Sequence, residues 1–111
     1  MEVARINSLE FPTEEKTDAF IANREKKGGK VTNPYATIQM SIRTGPTSMM
    51  SIFVFPNEEA AEAALEHREI MIKKAQSEFK FKEEWYLEGE FLQLYQNHMA
   101  RKLKPEQSLI S

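Results

Sequence analysis

Residues 48–55 read SMMSIFVF, and both alternating faces of this segment are apolar. Met50, Ile52 and Val54 fall on one side of an extended chain, Met49, Phe53 and Phe55 on the other. Such a strand belongs inside a sheet that is covered on both sides. A chain of 111 residues makes one domain.

The segments around it are easily placed. Residues 2–11 read as a strand, with Val3, Leu9 and Phe11 sharing a face with Arg5 and Asn7, and Ala4 and Ile6 sharing the other with Ser8. Pro12 and Thr13 open a helix, with Thr13 as N-cap and Glu14 and Glu15 in the first turn; it runs to about Lys27 and stops at Gly28-Gly29. Residues 35–44 alternate Ala36, Ile38, Met40 and Ile42 against Thr37, Gln39, Ser41 and Arg43, the pattern of a half-buried strand, and Gly45-Pro46 marks a turn. Asn57 caps a second helix to about Phe79, whose stripe is Ala61, Ala64, Leu65, Ile72, Ala75 and Phe79. A last strand covers EWYLEGEFLQLY, residues 84–95, and changes character at Gly89, where either a bulge or a partner's cover is expected. Residues 1–96 thus form one domain and 97–111 a polar tail.

The order βαββαβ predicts an α+β sandwich: a four-stranded antiparallel sheet, spatial order 4-1-3-2, with both helices on one face. Because both faces of the third strand are apolar, either set left open would make too large an apolar patch for a monomer. Which set meets the helices stays open. A second copy, a ligand, nucleic-acid bases or another partner must cover the rest.

Composition narrows the classes. Fifteen basic and 17 acidic residues leave a charge of −2, with no basic footprint for duplex nucleic acid or an anionic membrane. Cysteine is absent, which removes disulfides, thiolate nucleophiles and thiolate metal sites. No signal-peptide core or membrane-length apolar run is present, so a cytoplasmic location is expected. No phosphate, dinucleotide or metalloprotease motif occurs, and neither a cofactor nor a metal is expected.

The element order, the doubly apolar third strand and the segment IFVFPNEEAAEAALEH resemble the dimeric α+β barrel group of ferredoxin-like proteins, which includes the antibiotic-biosynthesis-monooxygenase family. The resemblance covers residues 2–96. It implies a homodimer, a dimeric α/β barrel with two sheets packed open face to open face, and a small pocket between sheet and helices in each subunit. The group contains cofactor-independent oxygenases, haem-degrading enzymes and isomerases. The haem-degrading branch resembles this chain in an asparagine on strand one and a histidine on the second helix, here Asn7 and His67. The chain departs from it in having no tryptophan on that helix. INSLEFPTEE and FVFPNEEAAEAAL also look like parts of an RNA-recognition motif, in which Phe53 and Phe55 would stack bases.

The candidate site residues follow from misfits. His67 flanks the helix stripe, where it either looks into a pocket as a general base or sits as a boundary histidine. Arg68 falls within the stripe and needs a carboxylate or a ligand anion, unless its head reaches solvent. Arg24 shows the same misfit on the first helix. Arg5, Asn7, Gln39 and Arg43 are placed to line an open-face cavity suited to a carboxylate or enolate, or to form a solvated edge. Phe53 would supply apolar wall, and Trp85, Tyr86 and Tyr95 either an aromatic pocket wall or core and interface packing. Glu88 and Glu90 point the same way along a strand, as a paired general acid/base would, or read as exposed edge-strand charges. The function expected is a small-molecule pocket in a homodimer, a cofactor-independent monooxygenase or isomerase-like enzyme. The alternatives are a single-stranded nucleic-acid module and a non-catalytic interaction protein.

Overall fold

A computed structural model describes residues 1–26 and 33–95. Its elements are β1 (Val3–Glu10), α1 (Glu14–Glu25), β2 (Ile38–Gly45), β3 (Ser48–Phe55), α2 (Glu58–Phe79) and β4 (Lys82–Glu90). All pairings are antiparallel and the spatial order is β2-β3-β1-β4. The two most apolar strands are central, as the pattern requires.

Local chemistry starts both helices where the sequence says. Thr13 Oγ1 accepts from the Lys16 amide at 3.1 Å, and Asn57 Oδ1 from that of Ala60 at 2.7 Å; each satisfies one otherwise orphaned donor. α2 ends on Lys80, which takes a left-handed conformation at φ 60° and donates to the Gln76 carbonyl. The Gly28-Gly29 stop proposed for α1 lies outside the described residues, as do the 97–111 tail and His98.

The register settles the face assignment. Val3, Arg5, Asn7 and Leu9 pair with Phe55, Phe53, Ser51 and Met49 and turn toward the helices. Met50, Ile52 and Val54 therefore belong to the open face, with Ile6 of β1 and Ile38, Met40 and Ile42 of β2. The clean alternation of β2 thus directs its apolar residues away from the helices, and Met40 and Ile42 are exposed. Arg5 and Asn7 are not on the open face as expected but buried under the helices.

The covered side holds two apolar clusters rather than one core. Leu9, Phe11, Phe20, Met49, Phe79 and Phe81 gather at one end of β1, where Phe20 meets Phe79 and Phe81 edge-on at 5.2 and 5.7 Å between centroids. Val3, Phe55, Ala61 and Ala64 gather at the other. Between them α2 buries little: Leu65, expected on the stripe, is exposed, and Ile72 is only half-buried. That gap between two anchored ends is where a cavity can open.

β4 departs from the sequence expectation twice. It ends at Glu90, so Leu92, Leu94 and Tyr95 are exposed beyond it. Its register shifts between Ser8, opposite Trp85, and Leu9, opposite Glu83, which leaves Glu84 as the extra residue of a bulge. Gly89 pairs regularly with Ala4 and carries no bulge. Among the described residues no helix is long and apolar enough to cross a membrane.

Candidate active site

A cavity of about 320 Å³ lies between the sheet and the helices, at the gap between the two clusters. The sequence builds its polar floor by interrupting the apolar side of β1: Val3 and Leu9 anchor the ends, and Arg5 and Asn7 stand between. Across the sheet, Asn7 is flanked by Ser51 on β3 and Tyr86 on β4.

The bulge at Glu84 completes this floor. In an unbroken strand, residues 83 and 86 would face opposite sides. The extra residue resets the alternation, so both Glu83 and Tyr86 turn toward the cavity. Glu83 Oε2 then accepts from Asn7 Nδ2 at 2.9 Å and forms an ion pair with Arg68 Nη2. The Arg68 guanidinium lies over the Tyr86 ring, 4.0 Å from its centroid. One helix, one central strand and one edge strand are thereby tied through a single carboxylate.

Arg5 is the other fixed charge. It is 4% exposed, donates from Nε to Glu88 Oε1 at 2.9 Å, and lies over Phe55 at 5.1 Å. Its Nη1 is buried without a partner, as are Asn7 Oδ1, Ser51 Oγ and the Tyr86 hydroxyl. Native proteins leave few such atoms, and each costs about 1–3 kcal/mol. The four sit on neighbouring residues of one patch of the sheet. Burial pushes the Tyr86 phenol above its ordinary value, against the pull of Arg5 and Arg68, so the hydroxyl remains a neutral donor. Burial lowers Arg24, which lines the same cavity, stacks on Phe20 at 4.9 Å and reaches Ser41 at 3.2 Å.

Of the residues expected to form a site, Asn7, Phe53, His67 and Arg68 come together in this wall. His67 meets the ring of Tyr35 edge-on at 6.5 Å between centroids. Three others do not take part. Trp85 lies opposite Ser8 on the other face of the sheet and is 40% exposed. Arg43 is on the covered side but is used structurally, bonding the Gly45 and Pro46 carbonyls of the turn and Asp18 of α1 at 2.8 Å. Gln39, opposite Phe53, lies outside the cavity wall. The contribution of Glu83 was not foreseen, because its orientation depends on the bulge. Glu88 is exposed on the edge strand as expected, and it also holds Arg5.

No family model matches the sequence, and no curated protein sequence matches it. Solved structures do match in shape. A protein from Chloroflexus aurantiacus assigned as an antibiotic biosynthesis monooxygenase superposes with a TM-score of 0.61 at 14% identity, covering 86% of this chain and 98% of that one. The fold is that of the antibiotic-biosynthesis-monooxygenase-like ferredoxin group. HapK from Hahella chejuensis superposes at 0.59 with 19% identity, over 91% of this chain and 100% of that one. SnoaB from Streptomyces nogalater, a cofactor-independent oxygenase, superposes at 0.55 with 13% identity, over 89% and 98%. At these identities the likeness establishes the fold, and the site must be argued from its own residues.

Two of the functional expectations are narrowed by the geometry. Base stacking on an open sheet would need Phe53 and Phe55 on the surface, yet both turn under the helices, and Phe55 is 2% exposed. The haem-degrading branch also fits poorly. Asn7 and His67 share a wall, but the Asn7 amide nitrogen is committed to Glu83 and the tryptophan is on the far face. Among the described residues no group of three or more histidine or carboxylate side chains is placed to hold a metal.

Proposed function

We propose that this chain is a small-molecule enzyme of the cofactor-independent oxygenase kind, acting on an acidic, electron-rich carbon acid in the cavity under α2. The observation that carries the reading is Arg5, a buried cation in the floor with one nitrogen unpartnered. An enolate oxygen would satisfy that nitrogen, and Arg68 and Arg24 add positive potential around it. The resemblance in fold to an oxygenase that needs no cofactor supports the same direction.

In this mechanism His67 removes a proton from an activated CH2 of the substrate, and the arginines stabilise the resulting carbanion. The carbanion passes an electron to dioxygen, and the pair recombines to a peroxide. Loss of water then leaves a carbonyl: one oxygen atom enters the product, the other leaves as water, and the two substrate hydrogens end in that water. The apolar parts of the wall, Phe53, Met71 and Ile72, would hold the substrate body and keep bulk water from the carbanion.

The quaternary part of the proposal is a homodimer through the open face. Ile38, Met40, Ile42, Ile52 and Leu87 would be covered by the same residues of a second copy. The test of activity is oxygen uptake with anthrone as a model carbon acid, together with incorporation of labelled oxygen into the product. The wild-type protein should accelerate both, and Arg68→Met should lower kcat by about a hundredfold, as loss of a preorganised charge does. Turnover unchanged in both Arg68→Met and His67→Ala would overturn the reading.

A further inference from the structure

We propose that Glu83 fixes the polarity of the Asn7 amide, so that the cavity floor selects a ligand carrying a hydroxyl or N–H donor in addition to an anionic oxygen. The inference names the substrate class for the cavity described above and rests on that cavity's being a ligand site.

A primary amide has nearly the same shape in its two flipped orientations, and only its hydrogen-bond partners decide between them. Here the partner is a carboxylate oxygen, 2.9 Å from the amide and already paired with Arg68. A carboxylate in an ion pair accepts and does not donate, so the amide must present its NH2 to Glu83. The carbonyl oxygen Oδ1 is then left inside the wall, buried and without a partner. It is an acceptor and nothing else.

Its surroundings divide into adjustable and fixed groups. The Ser51 and Tyr86 hydroxyls, to either side of Asn7 on the sheet, rotate and can donate or accept. Asn7 Oδ1 and Arg5 Nη1 cannot change character. Arg5 and Asn7 are two residues apart on one face of β1, about 7 Å between Cα atoms for an extended strand. The floor therefore holds one permanent acceptor beside one permanent cationic donor, both buried, so that a ligand meets them as the surrounding wall side chains give way. The complement is a molecule with an ionised oxygen toward Arg5 and a protonated hydroxyl or N–H toward Asn7. A ligand with an ether at the second point would bury Oδ1 unpaired, the kind of mismatch that polar sites reject strongly.

The test compares 6-hydroxy-2-naphthoate, 6-methoxy-2-naphthoate and 2-naphthoate, binding being followed by calorimetry in wild type, Glu83→Gln and Asn7→Ala. The readout is the ratio of hydroxy to methoxy affinity, which cancels overall changes in site charge. Wild type should prefer the hydroxy acid by about tenfold, the scale of one buried hydrogen bond. Glu83→Gln should bring the ratio to about twofold or less, because a neutral amide partner lets Asn7 flip. Asn7→Ala should abolish the preference, read as the same affinity ratio whatever the change in overall binding, which keeps the test sound if the first variant folds poorly. Naphthoates that bind wild type with no hydroxyl preference would overturn the polarity inference alone. A preference that survives both substitutions would overturn its assignment to this pair. Failure of every naphthoate to bind wild type would overturn the ligand-cavity reading and this inference with it.

Discussion

On the covered face of the sheet, Arg5, Asn7, Ser51 and Tyr86 stand between two apolar clusters; on the open face, Ile6, Ile38, Met40, Ile52 and Leu87 lie with neither helix over them. The usual order is inverted, since polar atoms are sealed in and apolar side chains are left out. Neither arrangement stabilises an isolated chain. Unpaired buried polar groups cost free energy, and so does apolar surface in water. The difference is what the proposal turns on: in it the covered face would take a small polar molecule, and the open face a large apolar surface such as a second copy.

The comparison breaks most sharply at the open face. Ile42→Asp places a charge within the proposed dimer contact, where pairing would bury it without a counterion. Sedimentation should show a dimer becoming a monomer, with the dissociation constant raised by about a thousandfold or more. A wild-type chain that sediments as a monomer at micromolar concentration would remove the second-copy half of the comparison.

The covered face is sharpened by contrasting its apolar ends with its polar middle. Phe79→Ala hollows the cluster formed with Phe11, Phe20 and Phe81 and should cost about 3–5 kcal/mol in denaturant unfolding. Tyr86→Phe, in the polar middle, should behave in the opposite sense. It deletes a buried hydroxyl that has no partner, so stability at pH 7 should hold or rise by about 1 kcal/mol while ligand affinity falls.

The same variant carries a pH signature. The folded-state value of Tyr86 is raised above the unfolded one, so the native state binds more protons once the unfolded phenol begins to ionise. The stabilising contribution is complete below the ordinary tyrosine value of about 10 and is lost as pH rises through the folded value. Alkaline unfolding curves should therefore fall less steeply for Tyr86→Phe than for wild type. Parallel curves would place the hydroxyl in contact with water.

Much of the frame was legible in the sequence for physical reasons. β3 was found over its full length because a doubly apolar run bounded by Pro46 and Pro56 has few other uses. Thr13 and Asn57 announced their helices because capping is a local interaction. The face assignment was not legible, since both alternations of β3 are apolar and only packing against α2 decides between them. For the site, the informative signal was a contradiction within β1. Arg5 and Asn7 share a face with Val3, Leu9 and Phe11, and such a face is either a solvated edge or a core built around polar groups. Glu83 stayed hidden because period two assigns it to the side opposite Tyr86, and no glycine or proline marks the bulge that unites them. Trp85 drew notice as the sole tryptophan, yet the same shift of phase carries it to the outer face.

Glu84 has no opposite number on β1. Removing it would close the ladder into an ordinary strand while every remaining side chain kept its own side. An added residue anywhere from Trp85 to Leu87 would turn Glu88, and with it the anchor of Arg5, toward the outside. β4 therefore has a spare length of one residue, placed where its loss is harmless. In a lineage of such chains, a shortened last strand is compatible with the same cavity, whereas a lengthened one is not.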